Sequence, residues 1–328
     1  MSATVDQGGQ GKHRMGYYIF TYCCIAVFMM TTVRLIYRQW SLPMHLRWEI
    51  YPVQHETADK ASYGGSYMEE LNWWEKKREG SFFNEIRYMA PEIMLLRGLW
   101  KGNKRLWWIS FPFHLGLYLM VAAFVLLLTS AVFTLWNPLA YAEGGIIRMI
   151  MDGLIVAALW IGIIAGLMGS LGMLYKRLAD QELRAYATFA DYFNVVFILI
   201  FFLCAFRAAL SADPFLAASR FYVLGLLTAG AAVPTYVPGQ SLAGALTIVL
   251  ASLLVAYIPL THMSHMFMKY FLYHNVKWDD TPNRPGTAIE AAVLTNLELK
   301  PTWRAKHIGA DGQKSWRDIA SSSPKELK

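Results

Sequence analysis

The stretch LVAYIPLTHMSHMFMKYFLYH, residues 254–274, places His262 and His265 one helical turn apart near the end of an apolar run, with His274 beyond them. An imidazole in hydrocarbon is costly and needs a partner, so each one found there is a candidate for chemistry. Another candidate, His114, lies in a separate apolar run within FPFHLG. Of the eight histidines, only His114, His262 and His265 fall inside predicted spans. His45, His55 and His274 fall at interfaces, where an imidazole is solvated or faces a partner. Depth decides which can meet. His114 is seven residues past Trp107, and His265 is four before Lys269. At ~1.5 Å rise per residue, those offsets are about 10 Å and about 6 Å from one membrane face. On oppositely directed helices the two imidazoles share half a bilayer. That suits two axial ligands on one haem iron, or two core histidines with satisfied hydrogen bonds.

The neighbourhood allows both readings. Gly116 follows His114 by two, and GIIAGLMGSLG carries Gly162, Gly166 and Gly169 at helical spacing. Small residues admit a flat macrocycle or a second helix. Thr261 and Ser264 flank the histidines and could orient them through Nδ1–H contacts. Lys104, Arg105 and Lys269 suit haem propionates, or simply mark a positively charged membrane flank. His262 has three readings: an alternative ligand, a hydrogen-bond partner for a quinone, or a packed polar residue.

The elements that carry these residues follow from composition. Hydrophobic residues make up 55% of the 328 and charged residues 16%. A soluble domain carries about a quarter charged residues, so the excess apolar surface must face lipid. The net charge of +7 is spread over connecting segments rather than gathered on a basic domain, which argues against nucleic acid. Cys23, Cys24 and Cys204 all sit in apolar runs and no CxxC occurs. No iron–sulfur cluster, zinc ribbon or covalent haem can be built from this chain alone.

A helix needs about 20 apolar residues to cross a bilayer, and five segments qualify: 17–36, 107–136, 149–173, 190–210 and 242–268. The first is too long for a signal peptide and lacks a small-x-small site. A weaker run, 216–237, is broken by Pro234 and glycines, and reads as an outer-surface or partly re-entrant segment. Lys and Arg number eleven in 37–105, three in 174–188 and ten from 269 onward, against few on the other side. The positive-inside rule then predicts N-out, C-in. The expected organisation is a first span within 1–36, a cytoplasmic loop 37–105, a four-helix haem-binding domain 106–273 and a cytoplasmic tail 274–328. The fold class is all-α integral membrane. The loop holds HLRWEIYPVQHE and YMEELNWWEKKREG, which read as an interfacial belt or as a docking face.

FPFHLG and IPLTHMSH, within this five-span plan, resemble the gamma subunit of respiratory nitrate reductase over residues 106–270. HLRWEIYPVQHE, EELNWWEKKREGSF, THMSHMFMKYFLYH and VKWDDTPN look closer to the cytochrome b subunits of transmembrane redox complexes in sulfate-reducing and related anaerobes. The resemblance implies haem b held by His114 and His265, with Pro259 where the family also has a proline. It also implies menaquinone or another quinone as substrate. Its implied partner is a cytoplasmic iron–sulfur subunit of the heterodisulfide reductase type, and its implied location the cytoplasmic membrane of a bacterium or archaeon. Phe124 and Thr247 stand where the nitrate reductase subunits have the ligands of a second haem, so one haem is expected here. The expected function is electron transfer between the quinone pool and that partner, with quinone contacting His262 and Tyr257. A haem-free membrane anchor is the alternative.

Overall fold

The computed structural model describes residues 7–41, 56–63, 69–72, 75–77, 81–139, 141–142, 144–211, 213–236, 238–265, 268, 283–304 and 306–322. His45, His55, His274 and Lys269 lie outside them, as do most of HLRWEIYPVQHE and VKWDDTPN. The described residues form helices joined by turns: α1 Gln7–Ser41, α2 Ala58–Tyr63, α3 Phe82–Leu95, α4 Arg97–Gly102, α5 Lys104–Trp136, α6 Ile146–Ala179, α7 Gln181–Tyr186, α8 Phe189–Ser211, α9 Ala217–Thr228, α10 Leu242–Tyr257, α11 Ala288–Leu297 and α12 Trp316–Ser321.

Five stretches are long and apolar enough to cross a membrane: Met15–Arg38, Lys104–Trp136, Ile146–Ala179, Phe189–Ser211 and Leu242–Leu260. They coincide with the five expected spans except at the end of the last. The sequence reading carried that helix through 268, but α10 stops at Tyr257 and continues as two 3₁₀ turns, Ile258–Leu260 and His262–Ser264. Proline at 259 explains the stop, because it lacks the N–H the next α-helical bond needs and crowds the turn before it.

The chain divides into two compact units, one of Met1–Thr31 with Pro91–His262, the other of Thr32–Ala90 with Met263–Lys328. In the first unit, packing runs α5 on α6, α6 on α8 and α8 on α10. α5 and α10 are not a packed pair among the described residues. The α5–α6 contact is backbone-close. A Cβ added at Gly116 would stand 2.5 Å from the Cα of Gly166, and one at Gly166 would meet the Phe202 ring of α8 at 2.1 Å. Leu127, Ala131, Ile155, Leu159, Ile163, Ala205 and Ala209 close the core below these glycines.

α9 is the weaker sixth run. Its twelve residues span about 18 Å, short of the roughly 30 Å a crossing requires. Asp213 caps it, accepting from the Ala218 and Ser219 amides at 3.0 and 2.9 Å. Tyr222 of α9 stacks on Tyr18 of α1 and shares a 2.6 Å hydrogen bond with Thr21. Thr21 in turn bonds Ser252 of α10 at 2.7 Å, which ties the first helix into the bundle.

In the second unit, Glu70 pairs with both Lys60 and Lys76. The amide of Asn84 donates to the Glu56 carbonyl at 3.0 Å. Trp303 and Trp316 meet edge to face, and Arg317 pairs with Glu298 at 2.7 Å.

Candidate functional site

His114 lies on α5 in a stripe with Trp107, Phe111 and Tyr118, spaced by four, three and four residues and therefore on one helical face. α5 starts cleanly because Asn103 caps it, its side chain accepting from the Leu106 amide at 3.0 Å. Nδ1 of His114 is 2.7 Å from the Ser110 carbonyl and 3.3 Å from the Ser110 hydroxyl. A carbonyl only accepts, so Nδ1 carries the proton, and in the neutral form of the ring the lone pair is on Nε2. That tautomer is the one a metal-ligating histidine needs, with its other nitrogen oriented by a backbone carbonyl.

The stripe has a cover. Trp107 stacks on Phe111 with centroids 4.6 Å apart, and its indole N–H donates to the Leu95 carbonyl at 2.7 Å. Four residues beyond His114, the Tyr118 hydroxyl donates to the Ile93 carbonyl at 2.9 Å. The last turn of α3 is thus bonded to both ends of the His114 stripe. Leu96, in a left-handed conformation at φ 52°, then turns the chain into α4.

Gly116 is on the other side of the helix. Two residues of ~100° each place it about 200° round α5 from His114, where it meets Gly162 and Gly166 of α6. Of its two readings, helix against helix is the one seen. Gly169 likewise backs onto the main chain of Phe113.

His262 meets groups that the sequence reading did not single out. Its Nε2 is 3.3 Å from the amide nitrogen of Asn194 and 3.8 Å from an Asp191 carboxylate oxygen. Asn194 is 5% exposed and accepts from the Tyr257 hydroxyl at 2.8 Å. The signal was present in FADYFNVVF, where two polar residues three apart open an otherwise apolar span. Tyr257 and His262 were expected near each other, and Asn194 is what links them.

His265 belongs to the second unit and is exposed. Thr261 bonds its hydroxyl to the Ile258 carbonyl at 3.3 Å, a contact within its own turn. Lys104 lies 5.2 Å over the Trp100 ring. Phe124 is 46% exposed on the outside of α5, and the Thr247 hydroxyl donates to the Ala243 carbonyl at 2.7 Å. Among the described residues, no cluster of three or more His, Cys, Asp or Glu could hold a metal ion. An axial haem site needs only two such donors.

Comparison with protein-family models, with curated proteins and with solved structures returns no match.

Proposed function

We propose that the protein is a membrane b-type cytochrome subunit that passes electrons between a quinone and a cytoplasmic iron–sulfur subunit of the heterodisulfide reductase type, in an N-out, C-in arrangement. One observation carries the reading. Within a bilayer-length apolar helix, His114 has its Nδ1–H committed to the Ser110 carbonyl and its lone pair on Nε2. The donor set fits haem b: one imidazole in the ligating tautomer, and a second, His265, expected from the sequence. A bis-histidine haem, when bound, shuttles one electron and leaves no open position for a small substrate. The Ser110 carbonyl holds the His114 ring and its tautomer. Trp107, Phe111 and the last turn of α3 line that face.

The test is a dithionite-reduced minus oxidised visible spectrum of the purified chain, with a pyridine haemochrome count. The expected result is a sharp b-type band at one haem per chain, lost in His114→Ala. A featureless spectrum rejects the cytochrome and leaves the haem-free anchor. Two haems per chain would reject the reading of Phe124 and Thr247.

A further inference from the structure

The entry to α8 carries a polar chain that one-electron transfer alone leaves without a role. Tyr257 occupies the Asn194 amide oxygen at 2.8 Å, so the amide nitrogen faces His262 and donates to Nε2 across 3.3 Å. The chain runs from buried Asn194 to His262, whose side chain is 60% exposed. Asp191 Oδ1 stands 3.8 Å from the same Nε2, and Arg177 of α6 lies 3.4 Å from Asp191. Those two and Tyr257 are charged and titratable groups facing this imidazole from α8, α6 and α10. Beside them, Phe189, Phe193 and Phe197 stack along α8 with centroids 6.1 and 5.9 Å apart. Phe193 also meets the Tyr257 ring at 5.7 Å and is 43% exposed.

We propose that this corner binds the headgroup of a quinol, its ring against Phe193 and one hydroxyl on His262, and that His262 takes up that hydroxyl's proton. The inference rests on the quinone-linked reading above. A hydroquinone is a flat aromatic ring with polar oxygens at its edge, so it needs an apolar ring surface beside a hydrogen-bond acceptor. Phe193 and His262 Nε2 supply the pair. The hydroquinone hydroxyl replaces the Asn194 amide as donor to Nε2, and the amide turns to donate to the hydroquinone oxygen. When that O–H bond breaks, an N–H bond forms at Nε2, and the Asp191 carboxylate balances the imidazolium. The two electrons released would be taken one at a time by a bound haem and the iron–sulfur partner proposed above. The second proton goes to water, and quinone remains. The exposed edge of His262 returns its own proton to water.

The experiment titrates 2,3-dimethyl-1,4-naphthoquinol, kept reduced with dithionite, into the full chain in detergent and reads quenching of tryptophan fluorescence, with haem content measured in every sample. Saturable binding is expected, weakened at least tenfold in His262→Gln and in Phe193→Ala and about threefold in Tyr257→Phe, at unchanged haem content. Unchanged affinity in the first two variants overturns the site, as does the absence of saturable binding by a haem-containing wild type. Should His262→Gln fail to fold, Phe193→Ala and Tyr257→Phe decide by the same criterion. A wild type without haem that still binds in a His262-dependent way supports the quinone site and fails the cytochrome reading instead.

Discussion

The hydroxyl of Tyr118 donates to the carbonyl of Ile93 at 2.9 Å, joining the middle of a spanning helix to the end of the helix before it. Tyr118 is one turn past His114 on the same face, so the bond fastens the end of α3 beside that imidazole. Its partner is a carbonyl in the last turn of α3, where the intrahelical N–H donors run out. Tyr118→Phe removes only the hydroxyl and should cost about 1 kcal/mol. Hydrogen exchange of the amides in 93–97 should speed up about fivefold, that same energy converted, while amides of α6 stay unchanged. Equal rates in variant and wild type would show that the bond holds nothing in place.

Gly116 and Gly166 set the distance between α5 and α6. A methyl group at either would overlap backbone or the buried Phe202 ring, neither of which can move cheaply. Gly116→Ala and Gly166→Ala should each destabilise the chain by about 1–3 kcal/mol. Gly153→Ala is the control, since a Cβ there meets nothing within 4 Å and alanine favours the helix. Denaturation midpoints in mixed detergent should fall for the first two and hold or rise for the third.

The second unit offers a pH dependence with a definite sign. The Ser315 amide and hydroxyl donate to the Asp318 carboxylate at 2.9 and 2.8 Å, while the Asp318 amide donates back to the serine at 3.2 Å. The Ser315 backbone N–H, then its hydroxyl, hold the carboxyl below its ordinary range. A depressed folded pKa means the cap contributes fully above the unfolded value of about 3.9. That contribution is lost as pH falls through the lower, folded value. α12 should therefore fray only in acid. Ser315→Ala should fray it at neutral pH, at a cost of about 1 kcal/mol. Amide exchange across 316–321 at pH 7 and pH 3 measures both.

Much of this architecture was legible in the residues. Long apolar runs with 16% charge overall leave little choice but spanning helices, and four of the five have the expected extent. The fifth was misjudged at Pro259. Hydropathy continues past it, but hydropathy measures partition into lipid and is blind to the missing N–H that ends α10. Gly116 carried two readings, a macrocycle or a second helix, and a helical repeat separates them, because it sends neighbours two apart to opposite faces and Gly116 onto α6. Asn194 lay beyond a histidine-centred search. Its partnership with Tyr257 and His262 spans more than sixty residues, and no local pattern encodes which helices come together.

An ion pair joins α9 to α6, and its strength can be isolated. Arg220 Nη2 lies 2.7 Å from Asp152 Oδ1, and Arg148, one turn before Asp152, is 3.8 Å from its other oxygen. Both members of the closer pair are mostly covered, with side chains 19% and 31% exposed. Removing one partner leaves the other charge poorly solvated, which costs more than the pair contributes. Arg220→Gln should therefore destabilise by more than the double variant Arg220→Gln with Asp152→Asn does relative to Asp152→Asn alone. Arg148 makes the cycle asymmetric, because it keeps Asp152 partly compensated when Arg220 is gone, while Arg220 pairs with no second carboxylate among the described residues. Asp152→Asn should then be the more damaging single change. A coupling of about 1 kcal/mol from the four denaturation midpoints is the expected outcome. Additive effects would mean that the pair contributes nothing and that α9 is held by its packing against α5.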